Sequence, residues 1–169
     1  MTSRTLLSAS ILLLNMAIHV SAEAATQPPT APTTSNWRTG HSVDPYTGQQ
    51  YPYASLSSTT TPAILSLLCG RYQTVVNLHW GQPVSSSSVK VRYSPPLHGD
   101  IPTEDWVASE HSATRTFPRD GNELFDYLRS SPTIILELFP VDAASTMITF
   151  STQGADTALQ DLIKVCGNS

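Results

Sequence analysis

The sequence predicts a mainly β domain, most simply a β-sandwich of about seven strands with one inserted helix, one C-terminal helix and one disulfide. Three observations lead there. Short apolar runs alternate with polar residues at period two, between clusters of turn-forming residues. Charged residues are only 13% of the chain, about half the usual share, while serine and threonine are plentiful. Finally, only two cysteines, Cys69 and Cys166, follow a hydrophobic leader.

The leader comes first. Arg4 precedes an apolar run from Leu6 to Val20 and then the small-residue stretch Ser21-Ala22-Glu23-Ala24-Ala25. Basic, then apolar, then alanine-rich is the order of a secretory signal peptide, assigned to residues 1–24. Residues 25–36 form a Pro/Thr-rich linker whose bulk, QPPTAPTTSN, favours an extended chain. A single domain is expected over residues 37–169, large enough to bury a core. From Asp44 to Pro52 the segment DPYTGQQYP reads as a loop or an irregular edge strand.

The strands follow in order. Ile64 to Tyr72 places Leu65, Leu67 and Cys69 at alternate positions. Thr74 to Trp80 places Val76, Leu78 and Trp80 on one face, and Gly81-Gln82-Pro83 ends it. Val89, Val91 and Tyr93 alternate with Lys90 and Arg92 until Pro95-Pro96. Trp106 to Ser109 and Ala113 to Phe117 read as a hairpin pair. Thr133 to Phe139 is apolar on both faces and suits a central strand, and Thr146 to Ser151 is the seventh.

Two helices interrupt this pattern. Asp120 to Arg129 opens with a capping-box-like Asp120…Glu123 and sets Leu124, Phe125 and Leu128 on one stripe. Ala155 to Val165 carries Asp156 near its start and Lys164 in its last turn, which complements the helix dipole. Leu159, Leu162, Ile163 and Cys166 share its inward face, and Gly167 ends it. In an exported chain, Cys69 and Cys166 are expected to bridge, pinning this helix to an early strand; two buried free thiols are the alternative.

Composition excludes several functions. The formal net charge is −4 and lysine occurs only at Lys90 and Lys164, so no basic footprint for nucleic acid exists. No apolar stretch after the leader is long enough to cross a bilayer, so no stable membrane insertion is expected after cleavage. There is no Gly-x-Ser-x-Gly elbow, and a serine triad around His79, His98 or His111 has no pattern behind it. His98, Asp100, Glu104, Asp105, Glu110 and His111 lie close in sequence but lack metal-ligand spacing, so neither a metal nor a cofactor is expected. Exposed aromatics are the better candidates for contact. Tyr46, Tyr51 and Tyr53 read as surface residues, whereas Trp80 and Trp106 read as core. Arg92 points off the core face of its strand; if Trp106-x-x-Ser109 pairs beside it, Arg92 and Ser109 frame a small anion or partner site. The alternative for Arg92 is a structural role against loop carbonyls or an acid such as Glu110.

The ordered landmarks carry a resemblance. Cys69-Gly70-Arg71, Leu78-His79-Trp80-Gly81 and Val89…Val91-Arg92-Tyr93 precede Trp106-Val107-Ala108-Ser109, Ala113…Phe117-Pro118 and Leu124-Phe125…Leu128. Leu136-Glu137…Pro140 and Phe150-Ser151…Gly154…Ala158-Leu159…Cys166 close the series. This order resembles the type VI secretion system-associated accessory proteins (VasI/TagO-like) over about Trp37 to Gly167. It departs from them in lacking their N-terminal cysteine segment and in having Tyr93 after Arg92. The resemblance implies a non-enzymatic protein of the periplasm, or secreted, that binds an envelope or secretion-system protein, and it transfers no catalytic residue. A periplasmic inhibitor or glycan-binding module is the alternative, and a small hydrolase using His98 or His111 is a third.

Overall fold

The structure is a computed structural model that describes residues 35–70, 73–95, 103–118 and 123–167. The leader, most of the linker, Tyr72, His98, Asp100 and the Asp120 cap lie outside the described residues. Among the described residues, nine strands form one antiparallel sheet: β1 (Trp37–Val43), β2 (Gln50–Ser57), β3 (Ile64–Cys69), β4 (Gln73–His79), β5 (Ser88–Ser94), β6 (Glu104–Ser109), β7 (Ser112–Pro118), β8 (Thr133–Phe139) and β9 (Thr146–Ser151). Their spatial order is β1-β2-β3-β4-β7-β6-β5-β8-β9. Helix α1 (Glu123–Ser130) joins β7 to β8, and α2 (Ala155–Ala158) and α3 (Gln160–Cys166) follow β9.

The mainly β class, the inserted helix, the C-terminal helix and the bridge are as expected, and all seven anticipated strands are present. Two strands join them at one end, because Trp37–Val43 and Gln50–Ser57 pair with each other across the Asp44–Gln49 turn. The strands also belong to one continuous sheet rather than the two stacked sheets of a sandwich. An apolar face on every strand is common to both arrangements, so alternation alone cannot separate them.

The sheet curls so that the β2–β3 connection reaches β9. The Thr59 N–H and the hydroxyls of Ser58 and Thr59 all donate to the Thr149 carbonyl on β9, at 2.9, 2.9 and 3.1 Å. The Thr149 N–H in turn donates to Thr60 Oγ1 at 3.2 Å. Nearby, the Trp37 indole donates to the Thr152 carbonyl at 3.4 Å. These bonds occupy backbone groups that an open sheet edge would leave to water or to another chain.

The concave side holds the core. Leu56, Leu65, Leu67, Val76, Leu78, Val91, Trp106, Ile134, Leu136, Leu138, Ile148 and Phe150 are all buried there. The helices cover it with Leu124, Phe125 and Leu128 from α1 and with Leu159, Leu162 and Cys166 from the C-terminal pair. The expected single C-terminal helix is broken at Leu159, which lies at φ −90°, ψ −3° between the two short helices. Cys69 and Cys166 are bridged, with Cα atoms 5.9 Å apart, so α3 is fastened beneath β3.

Candidate functional site

Register decides which side chains share the outer face. In β1 through β4 and in β7 the inward positions are the buried ones, so the alternate residues face out. One outward row runs Gly40, Tyr53, Leu68, Val75 and Thr116; the next runs Arg38, Ser55, Ser66, Asn77 and Thr114. A third carries Ser57, Ile64, His79 and Ser112. Asn77 Nδ2 donates to Thr114 Oγ1 at 2.9 Å, tying β4 to β7 across the face. Among the described residues of these five strands, Arg38 alone brings a full charge to the outside, at the margin.

The other half of the same face is built differently. Lys90 stands opposite Asp105 and Arg92 opposite Glu137, each directly in register. Lys90 Nζ lies 3.1 Å from Asp105 Oδ1, and Arg92 Nε donates to Glu137 Oε2 at 3.0 Å. The Arg92 guanidinium also lies over Phe139, 5.1 Å from the ring centre. Opposite charges directly across an antiparallel pair neutralise each other on the strand surface.

Arg92 is therefore a paired strand residue whose acid is Glu137, on the neighbouring strand, rather than Glu110. The structural reading of Arg92 is the one realised, and the conditional Arg92–Ser109 frame does not form. Ser88 pairs with Val107, so Ser109 lies beyond the far end of β5, six residues along from Arg92, a distance of roughly 20 Å at the usual strand rise. The acids near in sequence disperse likewise. Glu104 faces inward, Asp105 outward, and Glu110 and His111 occupy the β6–β7 turn. Among the described residues no group of three or more His, Cys, Asp or Glu could hold a metal ion.

Two of the three tyrosines, Tyr46 and Tyr51, line one cleft at the neutral end, and Tyr53 lies outside it. Tyr46 sits at the tip of the β1–β2 turn and is 96% exposed, and Val43 beside it is 56% exposed. Asp44 fixes the tip, because its Oδ1 accepts the backbone N–H groups of Tyr46 and Thr47 at 2.8 and 3.0 Å. Those two bonds hold the Asp44 carboxyl below the usual carboxylate range. Tyr51 is half-buried and donates to Gln49 Oε1 at 2.9 Å. The β1–β2 hairpin extends past the last β2–β3 pair, Tyr53 with Leu68. An open cleft of about 440 Å³ follows, lined among others by Val43, Tyr46, Tyr51, Leu68 and the bridged Cys69. Tyr53 lies on the face itself, its ring packed over Gly40 so closely that a Cβ there would meet it at 2.9 Å.

Inside, one polar cluster links the two halves. The Tyr93 hydroxyl donates to Glu104 Oε2 at 3.0 Å, and Arg115 Nε lies 3.0 Å from the same oxygen. The Arg115 guanidinium also stacks on Phe117 at 5.4 Å. Burial, then the Glu104 charge, pushes the Tyr93 hydroxyl far above the ordinary tyrosine range. Tyr93 meets Tyr127 edge-on at 5.9 Å, and Tyr127 donates to the Pro95 carbonyl at 2.8 Å. Burial raises Tyr127 to about 12. The cavity among these rings is about 10 Å³ and wholly apolar-lined, too small for a substrate. Sequence reading missed this cluster because inward polar residues carry no periodic signal of their own. No family model, curated protein or solved structure matches the chain.

Proposed function

We propose that this chain is an exported, disulfide-tied envelope protein that acts by binding another protein rather than by catalysis. Its contact surface is the uncharged half of the outer face together with the Tyr46 cleft. The observation that carries this reading is the charge map of the sheet: among the described residues, five adjacent strands present hydroxyl, amide, aliphatic, tyrosine and His79 imidazole groups outward, with Arg38 as the one full charge at the edge. Protein interfaces are depleted of charge at their centres and enriched in tyrosine. A partner with an equally neutral patch suits this surface, since a charged one would lose water without gaining a counter-charge. The leader read in the sequence and the bridge between Cys69 and Cys166 favour an oxidising compartment, the periplasm or beyond.

A role as an accessory of a type VI secretion system is one version of this reading and rests on the resemblance of the ordered landmarks. The inhibitor or glycan-binding alternative is favoured by one feature, the nearly free ring of Tyr46 above an open cleft, because such rings stack on sugars and fill partner pockets alike.

Photo-crosslinking separates these versions. A crosslinking residue is placed at Tyr46, Ser66 or Thr133 of the exported protein, and captured species are identified by mass spectrometry. Crosslinks are expected from positions 46 and 66 and not from 133. Secretion-system components support the accessory version, one envelope hydrolase the inhibitor, and glycan fragments the glycan module. Capture from position 133 alone would refute the surface assignment.

A further inference from the structure

β4 ends at His79, and the register sets Ser112, the first residue of β7, opposite it. His111 immediately precedes Ser112, as the second residue of the two-residue turn that joins β6 to β7. Two imidazoles from neighbouring segments therefore meet at one end of the sheet. Both side chains are exposed, and their ring centres lie 6.4 Å apart with planes inclined at 65°.

The backbones beneath them are fastened together. The Trp80 N–H donates to the His111 carbonyl at 3.2 Å, and the Val84 N–H donates to the Glu110 carbonyl at 2.6 Å. Glu110 itself takes φ 46°, the left-handed conformation such tight hairpin turns require. The turn that carries His111 is thus tied to the segment that follows His79, and only side-chain torsions remain to adjust.

Imidazole nitrogens bind transition ions at about 2.0–2.1 Å, so two rings sharing one ion put their centres roughly 4.5 to 6.4 Å apart as the angle at the metal opens. The observed spacing is at the outer end of that span, and a modest rotation of either exposed ring shortens it. Imidazole pairs select copper, nickel or zinc over calcium and magnesium, which want oxygen ligands. No third protein ligand joins the pair among the described residues, so water completes the coordination.

We propose that His79 and His111 form a two-histidine surface site for a divalent transition ion, tightest for Cu²⁺ in the Irving–Williams order. His79 belongs to the last outward row of the neutral half, but ion binding is measured on the protein without a partner, so this assignment and the docking surface can each fail alone. The test is a titration of the purified protein with CuCl₂, followed by loss of the imidazole NMR signals, with affinity measured by calorimetry. The His79 and His111 signals should broaden together before one equivalent is added, while His41 keeps its signal. H79A and H111A should each weaken binding at least tenfold, and H79Q and H111Q should do the same while keeping a polar side chain at the site. H41A and H98A should leave affinity unchanged, and the melting temperature of every variant should match the parent. If H79A and H79Q bind within twofold of the parent, or if H98A loses affinity while they do not, the two histidines do not act as one site and the proposal is overturned.

Discussion

The two halves of the outer face solve the same problem in opposite ways. Strands β5, β6 and β8 set charges outward and pair each one across the ladder, Lys90 with Asp105 and Arg92 with Glu137. Strands β1 to β4 and β7 set almost none outward and tie the face with uncharged contacts such as Asn77 to Thr114. The ion-paired half stays hydrated, because stripping water from four charges is costly. The neutral half gives up its water more readily, and it is also the half that carries the tyrosine cleft. A solvated face and a docking face can therefore be told apart by register, on one sheet and with no change of fold.

The largest expected effect comes from the bridge, which fastens α3 to β3 in the neutral half. Replacing Cys69 and Cys166 by alanine should cost about 4 kcal/mol, by the chain-entropy argument for a loop of this length, measured by urea unfolding. Hydrogen exchange should then accelerate in β1 to β3 before β5 and β8. Equal acceleration in both halves would remove the distinction in stability.

Next is the cluster that joins the halves. Glu104 lies between Tyr93 of β5 and Arg115 of β7, and Glu104→Ala leaves both without that carboxylate. Loss of about 3 kcal/mol is expected, and the near-ultraviolet circular dichroism of Tyr93 and Trp106 should weaken with it.

Tyr127→Phe sharpens the picture beneath the ion-paired half. Below pH 10 it should cost about 1 kcal/mol for the lost bond to Pro95. The sign of the pH effect follows from the raised value. The folded hydroxyl holds its proton to about 12, whereas the unfolded one loses it near 10. The parent therefore keeps the full contribution below pH 10 and loses it as pH rises through about 12. In thermal melts across that range the Phe variant should decline less steeply than the parent.

Charge insertion tests the docking reading itself. Ser66→Lys should leave stability within about 0.5 kcal/mol of the parent yet reduce partner capture at least tenfold. Lys90→Ala should leave capture intact and change stability least of all, by about 0.5 kcal/mol or less, since both members of that ion pair are well exposed.

Much of the fold was legible in the sequence because inward and outward residues differ in kind. Val89, Val91 and Tyr93 against Lys90 and Arg92 announce a strand with one wet face. β1 and β2 escaped for two separate reasons. The edge strand WRTGHSV is open to solvent along most of its length, so no apolar alternation survives. In β2 the pattern is inverted, with small Pro52 and Ala54 buried while Tyr51 and Tyr53 face outward. Tyr46 is exposed while Tyr51 and Tyr53 are half-buried, and the neutral face was not visible, because it is assembled from five strands whose alignment only register supplies. Arg92 shows the same limit: its partner Glu137 is distant in sequence, while the nearer Ser109 falls at the wrong end of the strand pair.

The bridge also has a mechanical meaning. It joins β3 to the last helix, with a sequence separation of 97 residues, and so removes everything between Cys69 and Cys166 from the path of a force applied to the chain's two ends. A pull on those ends can lengthen only the folded stretch from Ser35 to Leu68, peeling β1 and then β2 from the sheet. Beyond Cys69 the load passes through a covalent bond, and strands β4 to β9 lie off its covalent path.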